Sequence, residues 1–133
     1  IEGPYLEMCR HYGLAVVSWS PLAGGFLTGK YERDSPPPPG SRGATDDQFA
    51  ESYLTDDHFD AIETIREVAA AVDATPAQVS LAWLLKHADV TAPIVGARTV
   101  DQLQANLTAS EITLTDDQFE RIATVARSPV VDE

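Results

Sequence analysis

The spacing of hydrophobic residues predicts alternating helices and strands. Pro4 to Tyr12 shows a short helical pattern that ends at Gly13, a residue able to adopt the positive φ common at helix C-termini. Leu14 to Trp19 is apolar almost throughout, which is typical of a parallel strand covered on both faces. This part of the chain therefore predicts a helix followed by a buried strand.

The segment from Ser20 to about Thr55 has no hydrophobic period. It contains the sequence DSPPPPGSRG at positions 34–43, where successive prolines lack amide donors and fix φ. Long segments without regular structure are uncommon inside domains and usually serve as lids, binding loops or disordered linkers. We therefore expect an irregular loop here.

Two helices are predicted after this loop. The first runs to about residue 72 on a single apolar stripe. The second begins with Thr75 as N-cap and Pro76 at the first helical position, and it is apolar nearly all round, so we expect it to be buried. The stripe of the first helix consists of Phe59, Ile62, Ile65, Ala69 and Val72.

The last part of the chain predicts a second strand and two more helices. The strand is Ala92 to Val95, ended by Gly96. Thr99 caps the next helix, and the last helix runs from Thr115 to about Arg127 with a clear amphipathic pattern. The helix after Thr99 carries Val100, Leu103 and Leu107 on one face.

The triplet TDD occurs at 45–47, 55–57 and 115–117, and the first and last copies extend to TDDQF. Paired aspartates raise the possibility of a divalent metal site, but no further ligands follow at the spacing of a calcium loop. Thr-x-x-Gln is a capping box, and acidic residues favour the positive end of a helix. We therefore interpret these triplets as helix starts.

Composition and charge limit the classes of protein to which this chain can belong. The chain has 133 residues, 44% of them hydrophobic, enough for one domain with a core. A formal charge of −12 opposes binding to nucleic acid or anionic membranes. The lone Cys9 excludes an internal disulfide, and no bilayer-spanning run or leader is apparent, so we expect a soluble cytoplasmic protein. Because the chain starts at Ile1, we also expect that sequence precedes it.

Basic residues of this acidic chain cluster after the two predicted strands. Lys30, Arg33 and Arg42 lie in the long loop, and Arg98 follows the second strand. Loops at the carboxyl ends of parallel strands bind ligands, so an anion such as a nucleotide would fit there. The Gly24-Gly25 pair would let a pyrophosphate approach the backbone, although on spacing alone this pair is also explained as a simple turn.

Trp19 has two possible roles at the end of the first strand, either packing in the core or offering a stacking surface at the mouth of a site. The three histidines, His11, His58 and His87, are far apart in sequence and form no metal-ligand or nucleophile-base pattern. No catalytic group is therefore assigned to this chain.

Three motifs resemble the C-terminal part of an aldo-keto reductase: GLAVVSWSPLAGGFLTGKY (13–31), TPAQVSLAWLL (75–85) and PIVGARTVDQLQANL (93–107). The resemblance covers nearly the whole chain. It implies an α/β fold, namely the C-terminal portion of a (β/α)8 TIM barrel, with the two predicted strands as strands 7 and 8 of an incomplete barrel. Residues 1–133 would form this segment, with a cofactor-covering loop at about 20–55.

The resemblance also implies roles in binding NADP. Trp19 matches the residue that stacks on the nicotinamide ring, and Arg98 would meet a 2′-phosphate, which favours NADP over NAD. An acidic residue is common in the family where Ala105 stands, so one contact to the adenosine differs. The remaining matches are Ser20, Pro21, Leu22, Ala23 and Gly24 along the pyrophosphate, Lys30 and Arg42 at the phosphates, and Gly96, Gln102 and Asn106 at the adenosine end.

The resemblance implies an NADPH-dependent reductase that converts aldehydes or ketones to alcohols. Its catalytic Asp, Tyr, Lys and His belong to the first four strand-loop units, which this chain lacks, so we expect the segment to be inactive alone. We expect it to be ordered only against the N-terminal half of the barrel or another copy. Two alternatives remain, a nucleotide-sensing subunit resembling potassium channel β-subunits and an acidic helical interaction module without a ligand.

Overall fold

The computed structural model describes residues 3–126 of the chain. The helices and strands that the sequence predicts occur in the predicted order, and the predicted end of the last helix near Arg127 lies outside the described residues. In chain order the elements are α1 (Pro4–Tyr12), β1 (Val17–Trp19), a distorted 3-10 helix (Ala23–Thr28), α2 (Arg42–Thr45), α3 (Asp47–Tyr53), α4 (Asp56–Ala71), α5 (Pro76–Lys86), β2 (Ala92–Ile94), α6 (Val100–Leu107), a second 3-10 helix (Thr108–Glu111) and α7 (Asp116–Ala126).

β1 and β2 form a parallel two-stranded sheet. Val17 pairs with Ala92, and Trp19 pairs with Ile94. Just before the strands, the Thr91 amide donates to the Val16 carbonyl at 2.8 Å. The predicted α/β class with a parallel sheet is therefore confirmed, and both strands end at the same edge.

The expectation that the first strand is longer and covered on both faces is wrong for the described residues. The strand begins at Val17 and not at Leu14, and the side chains of Leu14, Val17 and Trp19 are exposed. On the second strand, Ile94 is also exposed. The reason is that the helical core forms among α4, α5 and α7, leaving much of this small sheet uncovered.

The core lies between α4, α5 and α7. Ile62 and Val68 of α4 are fully buried there, together with Val79 of α5 and Ile122 of α7. The predicted start of α5 is confirmed, because Thr75 and Gln78 exchange reciprocal capping-box hydrogen bonds. The prediction that this helix is buried all round holds only in part, since Leu85 near its end is exposed.

The apolar face of α6 remains exposed. Thr99 caps this helix as predicted, accepting from the Gln102 amide at 3.2 Å. Val100, Leu103 and Leu107 share the predicted face, and all three are exposed in the described structure. This stripe therefore lies outside the core that α4, α5 and α7 form.

The segment from Ser20 to Thr55 is more ordered than the sequence predicts. It contains a 3-10 helix and the short helices α2 and α3. The buried Tyr31 ring stacks on Phe26, and its Oη accepts a hydrogen bond from the Gly43 amide at 3.0 Å. Scattered aromatic residues, which follow no period, thus hold this segment on the core.

A helix starts at each of the three TDD triplets, as interpreted, but the Thr-x-x-Gln capping box forms at only one of the two TDDQF copies. Thr115 and Gln118 exchange hydrogen bonds of 2.9 and 3.2 Å at the start of α7. In the first copy the cap is Asp46, whose carboxylate accepts from the Phe49 amide at 3.0 Å, while the Thr45 hydroxyl donates back to the Ser41 carbonyl. The helix starts one residue later there because α2 precedes it and includes Thr45.

Within residues 3–126, no single helix is long and apolar enough to cross a bilayer. α4 and α5 pass such a test only as a pair bent by 92°.

The packing of α4 predicts a large effect of truncating Ile62, which is 1% exposed. Ile62→Ala should lower the free energy of unfolding by about 2–5 kcal/mol, because it removes buried methyl groups and leaves a cavity. Chemical denaturation of the protein that carries this chain measures this loss. Thr124→Ala, at an exposed position of α7, is the control and should not lower stability, because alanine is the better helix former and the Thr124 hydroxyl bonds only to the Glu120 carbonyl of its own helix. Equal midpoints for the two variants would contradict the assignment of the core.

Candidate binding groove

A groove of about 880 Å³ lies at the edge where β1 and β2 end. It is lined by the turn after β1, the long segment, the first turn of α5, and the loop and helix that follow β2. Among the residues predicted as coenzyme contacts, the structure brings together Trp19, Ser20, Pro21, Leu22, Gly24, Lys30, Arg42, Gly96, Arg98, Gln102 and Asn106.

Ala23 is the predicted contact that does not line the groove. It lies partly buried against the hydrophobic core. The sequence reasoning missed several lining residues because they carry small or apolar side chains with no chemical signature. These residues are Thr28, Gly40, Ala77, Ile94 and Val95, whereas Gly25, which the sequence paired with Gly24 at a pyrophosphate, and Ala105 line the groove as well.

Trp19 lies at the groove and not in the core. Its side chain is 83% exposed, and its strand neighbour Ile94 lines the same groove. Of the two roles left open by the sequence, core packing is therefore excluded within the described structure. The indole offers a flat apolar face against which a planar ring can stack.

The backbone after Trp19 turns sharply through left-handed conformations. Ser20 has φ 56°, Ala23 has φ 49°, and Gly24 and Gly25 follow with φ 62° and 96°. Hydrogen bonds from the Ala23 amide to the Ser20 carbonyl and from the Gly25 amide to the Leu22 carbonyl close the turn, each at 2.9 Å. Positive φ at non-glycine residues is strained and concentrates at functional sites.

Both glycines have positive φ, which favours glycine, and at Gly24 an aromatic ring also lies too close for a side chain. A Cβ atom on Gly24 would stand 2.7 Å from the Phe49 ring and 3.2 Å from Arg42 Nη1. A Cβ atom on Gly25 would stand 3.0 Å from Lys30 Nζ. Arg42 and Lys30, two cations of the groove, therefore lie close to the glycine turn. The sequence had suggested only that a ligand could approach the backbone closely there.

Arg42 is held at the groove by Asp46 and Phe49. Its Nε donates to Asp46 Oδ2 at 3.0 Å, and its guanidinium lies 5.2 Å from the centroid of the Phe49 ring. The hydrogen bond from the Phe49 amide, followed by that from Arg42, holds the pKa of Asp46 below its usual range. The side chain of Arg42 is 57% exposed, so it remains accessible to an anion.

Arg33 does not belong to the groove, although the sequence grouped it with the other loop cations. It turns toward α4, where its guanidinium contacts Asp56 at 2.9 Å and also Asp60. The hydrogen bond that Arg33 donates to the Asp60 carboxylate is the main reason why the pKa of Arg33 is raised. This arginine therefore fastens the long segment to α4.

The loop after β2 is organised by Gln102. The Gln102 side-chain oxygen accepts from the Arg98 amide at 2.9 Å, while its own amide is capped by Thr99. These bonds fix the turn that carries Arg98 and leave the Arg98 side chain exposed. Asn106, one helical turn further along α6, lines the same groove.

The lining combines an indole, a glycine turn and cations from both loops. This set suits an elongated ligand with a planar ring and anionic groups. Among residues 3–126, histidine, cysteine and acidic side chains do not gather in threes as they would around a metal ion. The groove therefore has the chemistry of a nucleotide site.

A sequence model of the Aldo/keto reductase family matches residues 2–127. The chain belongs to this family, as the three motifs indicate. Its fold class is therefore that of a (β/α)8 barrel, of which the described structure contains a parallel two-stranded part.

Curated relatives fall into two groups. The chain is 31% identical to a probable voltage-gated potassium channel subunit beta of Oryza sativa over 96% of its length and 40% of the relative. It is 38% identical to an uncharacterized oxidoreductase of Bacillus subtilis over 85% of its length and 32% of the relative. It is also 34% identical to an aldo-keto reductase [NADP(+)] of Schizosaccharomyces pombe over 88% of its length and 34% of the relative. The chain thus spans about a third to two fifths of these relatives.

Alanine substitutions at three glycines that line the groove distinguish the cost of backbone strain from the cost of close contact. Gly24→Ala should destabilise most, because the site combines positive φ with contact to Phe49. Gly40→Ala, with positive φ and open space, should cost about 1–2 kcal/mol. Gly96→Ala has neither constraint and should be neutral or stabilise by up to about 1 kcal/mol. Unfolding midpoints rank the three, and any other order would contradict the geometry of the turn.

The lowered pKa of Asp46 predicts a pH-dependent contribution to stability. The contribution should be complete above the unfolded-state pKa, about 3.9, and should disappear as the pH falls through the lower folded-state pKa. Asp46→Asn keeps a good N-cap without the charge, so its unfolding midpoint should approach that of the parent as the pH falls from 7 to about 3. The control is Asp47→Asn in the same first turn. A parent-to-variant difference that is independent of pH would refute the assignment.

Proposed function

We propose that this chain forms the coenzyme-binding part of an NADP-dependent aldo-keto reductase that reduces aldehydes or ketones to alcohols. β1 and β2 are then the seventh and eighth strands of the barrel. The observation that carries the proposal is that Trp19 and Arg98, from loops after two neighbouring strands, line one groove.

The groove fits the coenzyme in shape and charge. Trp19 would stack on the nicotinamide, and the turn from Ser20 to Gly24 would follow the pyrophosphate. Lys30 and Arg42 would neutralise the phosphates, since both cations lie against the glycine turn. When bound, the coenzyme would supply the hydride for carbonyl reduction.

The adenosine end is assigned to the loop and helix after β2. Arg98 is exposed beside the groove and would pair with a 2′-phosphate, for which a guanidinium fork is well suited. Gln102 holds the Arg98 backbone, and Asn106 and Gly96 line the remaining wall. A charged partner for the extra phosphate is the reason to prefer NADP over NAD.

The proton for the carbonyl oxygen would come from another part of the protein. None of the four tyrosines of the chain lines the groove, and Tyr31 is buried with its hydroxyl bound to the Gly43 amide. This supports a division in which the described segment holds the coenzyme and the first strand-loop units carry the catalytic Asp, Tyr, Lys and His. The carbonyl substrate would bind between the coenzyme-binding segment and these strand-loop units. We propose that the whole protein is cytoplasmic.

The exposed strand faces support the proposal that another part of the protein packs on this segment. Leu14 and Val17, which do not line the groove, are exposed at the start of the first strand, as are the apolar residues of α6. In a closed barrel, neighbouring strands and helices bury such surfaces. We assign this role to the N-terminal half of the same barrel, and a second copy of the chain is the alternative.

A nucleotide-sensing channel subunit is the second candidate function. It is favoured by the relative from Oryza sativa, a probable potassium channel subunit beta that matches 96% of the chain. Both candidates require NADPH binding and differ in turnover. Steady reduction of an aldehyde favours the enzyme, whereas coenzyme binding with negligible turnover and stable association with a channel favours the sensor.

NADPH titration of the protein that carries this chain tests the proposal. Trp19→Ala should weaken NADPH binding and alter nicotinamide fluorescence, because the stacking surface is lost. Arg98→Met should weaken NADPH binding by about tenfold or more and leave NADH binding nearly unchanged, because a charge-assisted contact to the 2′-phosphate is removed. Dissociation constants come from fluorescence.

Arg121→Met is the matched control for the loss of a cation. Arg121 pairs with Glu67 on the far helices and does not line the groove, so its removal should leave both dissociation constants unchanged. Failure of the parent protein to bind either coenzyme would refute the proposed function and favour an interaction module without a ligand. Equal effects of Arg98→Met on NADPH and NADH would refute the assignment of the 2′-phosphate.

A further inference from the structure

Arg66 reaches from α4 to the backbone on both sides of Lys30. Its Nη2 donates to the Gly29 carbonyl at 2.7 Å and to the Tyr31 carbonyl at 3.0 Å. The same nitrogen contacts a Glu32 carboxylate oxygen at 2.8 Å. The guanidinium is 29% exposed and does not line the groove.

These hydrogen bonds hold the peptide group before Lys30 and the peptide group after Tyr31. The Gly29 carbonyl belongs to the peptide that enters Lys30, and the Tyr31 carbonyl belongs to the peptide that leaves Tyr31. Gly29 itself has φ 75°, and its amide donates to the Phe26 carbonyl at 3.1 Å. The backbone before and after Lys30 is therefore held by hydrogen bonds to Arg66 and within the turn.

The Lys30 ammonium lies over the Tyr31 ring and beside Gly25. Nζ lies 5.2 Å from the centroid of the Tyr31 ring and 3.0 Å from the position of a Cβ on Gly25. Because Lys30 is an exposed residue with a long flexible stem, its position depends on where its backbone is anchored. A shift of the anchor would move the charge away from this position.

We propose that Arg66 is a positioning residue for anion binding by Lys30. The inference rests on the proposed function, in which Lys30 contacts the coenzyme diphosphate. Arg66 acts through the backbone, since its own charge is paired with Glu32. Nη2 reaches the two carbonyls while both Nη1 and Nη2 contact the Glu32 carboxylate, and a lysine, with one nitrogen on a different stem, cannot reproduce this two-nitrogen arrangement.

A double-mutant cycle on the protein that carries this chain tests the coupling. Arg66→Met and Lys30→Met should each weaken NADPH binding by about tenfold, as measured by fluorescence titration. The double variant should bind no more weakly than Lys30→Met alone, because the arginine acts only through that lysine. A merely structural role of Arg66 would give multiplied effects, and that result would overturn the proposal.

Arg66→Lys distinguishes positioning from charge. It keeps the cation but not the planar fork, so NADPH binding should remain several-fold weaker than in the parent. Full recovery by lysine would mean that charge alone acts and would overturn the proposal. Since this variant changes least, it also provides the test if Arg66→Met does not fold.

Two further variants complete the experiment. Glu32→Gln removes the ion pair but keeps the carbonyl contacts of Arg66, so binding should stay within about twofold of the parent. Arg121→Met, which also breaks a pair with α4, should have no effect. If the parent binds NADPH and Lys30→Met does not weaken it, this inference fails while the proposed function stands. If the parent does not bind NADPH, both fail.

Discussion

The parallel pairing of two short strands is the constraint on which the groove depends. Because Trp19 lies opposite Ile94 in register, the chain leaves both strands at one edge and in one direction. The loop that carries the indole and the loop that carries Arg98 must therefore start side by side, although 75 and more residues separate them. An antiparallel arrangement would send these loops to opposite ends of the sheet.

The long segment between the strands is the second part of the site, and aromatic packing defines it. Phe26, Tyr31 and Phe49 are buried together, and the last of these rings supports both Gly24 and Arg42. Arg33 of this segment and Arg66 of α4 form ion pairs that fasten the segment to that helix. The other two cations of the segment, Lys30 and Arg42, line the groove, so the three loop cations have different roles.

Local signals in the sequence predicted much of the fold. Thr75 and Pro76 mark the start of a helix by chemistry that acts within four residues, and the structure contains that capping box. The parallel strands and most of the groove lining also follow from motifs that are contiguous in sequence. Coverage of the strands did not follow, because burial of Val17 and Ile94 depends on what packs over them.

Tertiary contacts explain what the sequence did not predict. Arg33 and Arg42 have the same charge in the same loop, but only Arg42 lies at the groove, because α4 presents Asp60 to Arg33. Arg66 has no local motif, since its carbonyl partners are 35 and 37 positions away. Asp46 replaced Thr45 as the cap because a preceding short helix takes up the threonine.

The two carboxylate oxygens of Asp46 accept hydrogen bonds from different partners. Oδ1 accepts the Phe49 amide at the start of α3, and Oδ2 accepts Arg42 at the groove. A phosphate that binds Arg42 would compete with Oδ2 alone for the guanidinium, so the helix would keep its cap while Arg42 changed partner. Exchange of the arginine between carboxylate and ligand would then proceed without unwinding the segment that surrounds it.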